Sequence, residues 1–366
     1  MRDLSNSLEV RVPGKLMLAG EFAVLEPYHQ LLAMAVNRFV YVKIEANKEN
    51  RITLEKFQLE NLPWQFKDNR VTIESTDSRV NFVQEAMTTA CIYLKENNIP
   101  IRSFKGYIKS ELDDKVSGKK FGLGSSAAVA VGVITAILKW HLDEEPEREL
   151  IFKLASISHV AAQGNGSGAD VAASSYSGII QYSSFQAEWL REKYEESHTL
   201  MELLRLDWKY FQVGQIQLPE DMYLCIGWTG SPASTGNLVE RIKELKKTNS
   251  DKYQEFLQHS EEAVDNILNG IHENNIPQLL TGIKQNRIAL VEVGKEANTE
   301  LETPMITKLC NLAEDFGGAA KQSGAGGGDC GIAFMPTKDS AVQLVEAWKK
   351  EGIIQLTLQP YSNETL

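Results

Sequence analysis

The run FGLGSSAAV occupies residues 121–129. Gly122 and Gly124 allow a backbone to approach a ligand closely, and Ser125 and Ser126 are natural caps for the small-residue helix pattern that follows, AAVAVGVITAILKW. The first four N–H groups of such a helix have no partner within it. Backbone donors, helix dipole and hydroxyls together suit a phosphate. A tight turn with a capped helix would need one glycine and one serine, whereas this run has two of each. Gly122, Leu123, Gly124, Ser125, Ser126 and Ala127 therefore read as a phosphate loop.

The loop is not a Walker A motif, because no G-x-x-x-x-G-K-[ST] occurs in the chain. It does fit the looser dinucleotide pattern as Gly122-x-Gly124-x-x-Ala127, with Asp143 downstream. The residues before it, VSGKKF, read as a polar loop rather than a buried strand, and no repeating β-α-β pattern follows. GGGDCG at 326–331 matches G-x-G-x-x-G literally, but a helix pattern precedes it and a strand pattern follows, the reverse of the required order. DFG at 315–317 lacks a companion H-R-D and sits where a helix should end.

Three further segments carry chemistry. QGNGSGADVAAS at 163–174 has three glycines in five positions and brings Ser167 and Asp170 close together; a carboxylate there can orient a nucleophile, accept its proton or steady a lysine. VPGKLMLAGEFAVLE at 12–26 sets Lys15 in an apolar, strand-like run, where a charge is costly unless paired. Glu21 is placed to pair with it or to cap the next turn. SGAGGGDCG at 323–331 has five glycines in nine residues, a high entropic cost for a purely structural loop.

The 366 residues exceed what one core ordinarily supports, about 250–300, and suit two lobes. The net charge of −11 speaks against nucleic-acid or anionic-membrane partners, yet a few local cations and helix N-termini can still receive an anion. No run is apolar enough for a signal peptide or a membrane span, so a cytoplasmic protein is expected. Cys91, Cys225, Cys310 and Cys330 are scattered without a C-x-x-C pair and read as core residues in a reducing compartment. Strand patterns at 9–18, 31–45, 101–109 and 222–230 alternate with helix patterns at 80–97, 236–247, 251–275, 277–293 and 303–316. Pro146 is expected in the first turn of a helix that Gly164 closes. The charged stretch 186–210 reads as a connection between lobes, and the order of elements as α+β.

PGKLMLAGE, GLGSSAA and SGAGGGDCG resemble, in order and spacing, the three signatures of the GHMP kinases, ATP-dependent kinases of small molecules. The likeness runs from Val12 to Phe334. It implies a two-lobed α+β fold: an N-terminal lobe at 1–205 with a left-handed β-α-β element, and a ferredoxin-like C-terminal lobe at 206–366. ATP, carrying Mg²⁺, and substrate would bind between them. WTGSPAST at 228–235 resembles the substrate loop of members whose acceptor is mevalonate 5-phosphate. Position 159 holds a histidine where members acting on mevalonate carry a glutamate that ligates Mg²⁺. By this resemblance Lys15 neutralises charge between the phosphates, Asp170 orients Lys15, and Gly122 to Ala127 hold ATP with Ser126 touching the metal. Lys120, Ser167, Ser231, Ser234, Gly326 and Gly327 would meet the acceptor, with Lys119 beside them. The alternatives are another GHMP kinase such as one acting on mevalonate, a non-catalytic sensor on this fold, and a nicotinamide-dependent oxidoreductase built on the Gly122 loop.

Overall fold

The computed structural model describes residues 6–114, 117–230 and 235–362. Its first sheet starts from two long apolar strands, β1 (Ser7–Ala19) and β2 (Gln30–Ala46), paired antiparallel from Ser7–Glu45 to Ala19–Leu32. The pairing shifts register between Pro13 and Gly14 and again between Met17 and Ala19. These irregularities bracket Lys15.

β3 (Arg51–Leu54), β4 (Leu59–Lys67) and β5 (Arg70–Ile73) form a meander, and α1 (Asn81–Glu96) leads into β6 (Phe104–Ser110). β3 and β6 lie parallel, so α1 is the helix of a β-α-β unit. α2 (Ser125–His141), α3 (Arg148–Gln163) and α4 (Ala169–Tyr176) come next, followed by β7 (Ile179–Ser183), α5 (Ala187–Glu196), α6 (Leu200–Arg205) and β8 (Gln212–Ile216). The sheet order is β5-β4-β3-β6-β2-β7-β8, with β1 on β2. α2 is apolar nearly all round and is buried from Ala127 to Leu138 apart from Val129, as expected of a helix at the centre of a core.

The second sheet comprises β9 (Tyr223–Trp228), then, after α7 (Thr235–Thr248), α8 (Ser250–His272), α9 (Ile276–Glu296) and α10 (Pro304–Asp315), the hairpin β10 (Ala319–Gln322) and β11 (Cys330–Met335), and finally α11 (Lys338–Lys350) and β12 (Ile354–Leu356). All its pairings are antiparallel in the order β10-β11-β9-β12, the ferredoxin-like arrangement. Asn249, Asn275, Thr303 and Thr337 start α8 to α11 by accepting an N–H three residues on. The C-terminal segment returns to the first sheet: Tyr361 donates its N–H to Ala35 and accepts from Gly178.

Several elements depart from the sequence reading. β3, β4 and β5 lie in a stretch with no assigned strand. Residues 187–205 are two helices rather than an open connection. Pro146 precedes the cap residue Glu147 instead of lying within the first turn, while Gly164 does close α3 in the left-handed conformation. β8 hydrogen-bonds to β7 and so still belongs to the large sheet. A strand, β10, rather than a helix immediately precedes the glycine turn at 323–329, making that turn a hairpin loop. The turn is thus no dinucleotide fingerprint for a different reason: nothing helical follows it.

Candidate active site

Lys15 is the structural link between the first two motifs. It is nearly buried on β1, its N–H donates to Leu123 O at 2.9 Å, and its ammonium donates to Gly122 O at 2.9 Å. Gly124 has φ +74, and a Cβ there would lie 3.0 Å from Lys15 Cγ and 3.5 Å from Asp170 Cβ. Lys15 and Asp170 therefore both pack against the α-carbon of Gly124, leaving no room for a side chain there. Gly124 is also the cap residue of α2, and having no side chain it leaves the first N–H groups of the helix for a ligand. Ser126 Oγ lies 3.3 Å from Nε2 of His159, a buried residue of α3 whose ring packs against Phe82.

Asp170 sits in the first turn of α4, where its Oδ1 accepts the N–H of Val171 at 3.0 Å. The turn before it is clamped from below. Tyr182 donates its hydroxyl to Ser167 O at 2.5 Å, and Gly168 has φ +75 with Phe185 directly beneath it. Burial holds the Tyr182 phenol well above its ordinary value, so it remains a donor.

The second lobe closes the site through the glycine turn. Ser323 Oγ accepts Met17 N–H at 2.9 Å and donates to Met17 O at 3.0 Å. The carboxylate of Asp329 lies against Gly122, where a Cβ would meet Oδ2 at 2.7 Å. Asp329 O accepts both the N–H and the hydroxyl of Thr229 at 3.0 Å. Cys330 Sγ contacts Phe121 O at 3.2 Å, Trp228 meets the Phe121 ring edge-on, and the Lys119 ammonium donates to Gly230 O at 2.9 Å. Glu21, instead of pairing with Lys15, makes a buried ion pair with Lys321 at 2.5 Å.

These segments surround a cavity of about 450 Å³. Lys15, Lys120, Gly122, Leu123, Gly124, Ser125, Ser126, Ser167, Asp170 and Gly326 all line it. Ala127 lies buried beneath the loop, and Gly327 turns its N–H to Leu301 O, so neither forms part of the wall. Ser231 and Ser234 lie outside the described residues. The sequence reading missed Asp329 and Ser323 as wall residues although it quoted their motif, and it gave His159 no part beyond replacing a glutamate. A larger cavity of about 1150 Å³, between β7–β8 and β9–α11, is walled by glutamines, aliphatics and the charged Arg148, Lys338 and Glu346, and holds none of the predicted residues.

The described residues contain no cluster of three or more His, Cys, Asp or Glu able to hold a metal. The cavity does present the Ser126 hydroxyl and the carboxylates of Asp170 and Asp329. Mg²⁺ is commonly bound through one or two protein oxygens together with phosphate oxygens. This donor set fits a cation delivered with a nucleotide rather than a resident one.

The chain matches the family models described as GHMP kinases N terminal domain, over residues 81–178, and GHMP kinases C terminal, over 261–354. The chain belongs to the GHMP kinases. It is 30% identical to a phosphomevalonate kinase of Streptomyces sp. (strain CL190), over 95% of this chain and 96% of that one. Among solved structures it resembles the Lin0012 protein from Listeria innocua, with a TM-score of 0.92 and 37% identity over 98% of both chains. It also resembles Streptococcus pneumoniae phosphomevalonate kinase in complex with phosphomevalonate and AMPPNP, with a TM-score of 0.84 and 27% identity over 97% of this chain and 100% of that one.

Proposed function

We propose that this protein transfers the γ-phosphoryl group of ATP to the phosphate of mevalonate 5-phosphate, giving mevalonate 5-diphosphate and ADP. The observation that carries the reading is the convergence of Lys15 and Asp170 on Gly124 at the open N-terminus of α2, with the Lys15 ammonium bonded to Gly122 O. A nucleotide phosphate on the α2 N–H groups would lie beside the Lys15 ammonium. Relatives and a ligand-bound neighbour named phosphomevalonate kinase, matching nearly the whole chain, support this acceptor.

In this reading Gly122 to Ser126 hold the ATP phosphates, and Lys15 neutralises charge between donor and acceptor. Ser167, Lys120 and Gly326 bind the acceptor, together with Ser231 and Ser234, while Gly327 shapes the turn. Ser126 would offer its hydroxyl oxygen to the nucleotide's Mg²⁺, which would supply charge neutralisation. Phosphoryl transfer is catalysed mainly by positioning and charge neutralisation. A phosphomonoester has its second pKa near 6, so the attacking oxygen is already mostly ionised at neutral pH. No general base is required, and Asp170 orients Lys15 rather than removing a proton. A cytoplasmic location belongs to the same reading: the four cysteines are free and buried, and no helix among the described residues is long and apolar enough to cross a membrane.

The test is ADP release with Mg·ATP against mevalonate, mevalonate 5-phosphate, mevalonate 5-diphosphate, homoserine and galactose. Turnover with mevalonate 5-phosphate alone is expected. Turnover only with an alcohol would return Asp170 to the role of base, and none across the panel would favour a sensor.

A further inference from the structure

We infer that Lys321 is a positioning residue for the acceptor side of the site, acting through Glu21 to hold the glycine turn at 323–329 in the frame of Lys15. The inference rests on the kinase reading above for the identity of the acceptor, but not for its geometry.

Lys321 lies on β10 with no exposed surface, a costly place for an ammonium. It donates to Glu21 Oε1 at 2.5 Å and to Gln322 O at 2.6 Å. The same Glu21 oxygen accepts the N–H of Gly324 at 3.1 Å. Glu21 stands a few residues beyond the end of β1, and the preceding contact, Ser323 with both backbone groups of Met17, is made to the strand itself. The first two residues of the turn are thus tied to the segment that carries Lys15, across the divide between the two sheets. On its far side the turn is closed by Ser323 N–H to Cys330 O and Gly327 N–H to Leu301 O, both within the second lobe. Together with the Ser323–Met17 bonds, the Glu21–Lys321 pair therefore fixes the start of the turn relative to Lys15.

Stability alone accounts poorly for such a pair, because an apolar replacement of a buried ion pair is often as stable, whereas removing one partner strands the other charge. This difference separates positioning from mere structure. The full-length chain would be compared as wild type, Lys321→Met, and the double variant Glu21→Leu with Lys321→Met. Three readouts are needed: melting temperature, KM for acceptor and for Mg·ATP separately, and amide hydrogen exchange of 323–330.

Lys321→Met should melt lower, and the double variant should recover most of the loss. In both, the acceptor KM should rise about tenfold, the scale of one lost hydrogen bond, with the ATP KM within about twofold. Exchange at 323–327 should be about tenfold faster in both. A double variant that recovers the acceptor KM along with its melting temperature would make the pair purely structural and overturn the proposal, as would equal rises in both KM values. Unchanged exchange at 323–327 would overturn it without reference to activity. If wild type uses a different acceptor from the panel, the functional reading fails, and the same KM comparison is made with that acceptor.

Discussion

Lys15 and Gly122 are 107 positions apart, yet the Lys15 ammonium donates to the Gly122 carbonyl at 2.9 Å. The bond holds the only lysine of the first motif against the backbone of the second, and Asp170 packs with it against Gly124. Where a phosphate is both donor and acceptor, charge neutralisation at this point should matter more than proton removal.

Lys15→Met should therefore lower kcat about a thousandfold, comparable to the loss of a preorganised charge-stabilising group. Asp170→Asn should cost about ten- to a hundredfold, since the amide still packs beside Lys15 but no longer attracts it. Steady-state turnover of both variants with mevalonate 5-phosphate checks the order. An aspartate variant worse than the lysine variant would require Asp170 to act as a base.

Gly124→Ala tests the close packing of the two side chains against Gly124. The new methyl would meet Lys15 Cγ at 3.0 Å on a backbone with φ +74. The left-handed conformation costs roughly 1–2 kcal/mol for an L-residue, and displacing the loop by less than an ångström should cost about a hundredfold in kcat/KM. Activity should fall far more than the melting temperature. A variant melting like wild type with wild-type kcat/KM would mean that the loop is not held by this contact.

The motifs were legible because glycine has few reasons to cluster, and the turns at Gly122, Gly124 and Gly168 do adopt positive φ. The helices of the second lobe were legible from period and caps. What escaped notice did so for physical reasons. β3 and β5 have four residues each and mix charge with apolar positions, too short for alternation to stand out. β10 reads AAKQ, and its Lys321 and Gln322 are fully buried polar residues that no hydrophobic pattern would place in a sheet. The carboxylate that neutralises Lys321 lies 300 positions away. Asp329 was unremarkable within its motif because the role of its carboxylate depends on Gly122, in another lobe. Where one sheet gives way to the other was obscured by β8, a mostly exposed edge strand that follows two charged helices.

The cysteines yield a pH prediction. Burial pushes the thiols of Cys91, Cys310 and Cys330 up to about 12 and that of Cys225 up to about 11. An unfolded thiol ionises near pH 8.5. Between those values the folded chain keeps protons that the unfolded chain has lost, so stability falls as pH rises. The melting temperature should be insensitive to these groups below about pH 8 and should decline from about pH 9 toward 11. At pH 8 a thiol reagent should label none of the four in the native protein and all four in denaturant. Rapid native labelling of any one would contradict the burial argument.

The last prediction concerns a network below the glycine turn. Arg287 on α9 donates from Nε and Nη2 to Glu302 at 2.8 and 2.7 Å, from Nη1 to Glu314 at 2.8 Å, and from Nη2 to Asn311 at 3.0 Å. Arg287 and Glu302 are largely buried, with side-chain exposures of 13% and 7%. Removing one partner leaves the other charge stranded, so Arg287→Met should destabilise the protein by about 2–4 kcal/mol. Leu301, next to Glu302, holds the turn through its backbone carbonyl, a bond that the substitution does not remove. Below the melting transition, kcat should therefore stay within about threefold of wild type, as expected of a change remote from the reacting groups. A double-mutant cycle with Glu302→Gln should give a coupling above about 1 kcal/mol, because the two residues share one network. Additive losses would mean that solvent, rather than Arg287, satisfies Glu302, and the segment leading into α10 would then be held by buried Leu301 and the Thr303 cap without help from Arg287.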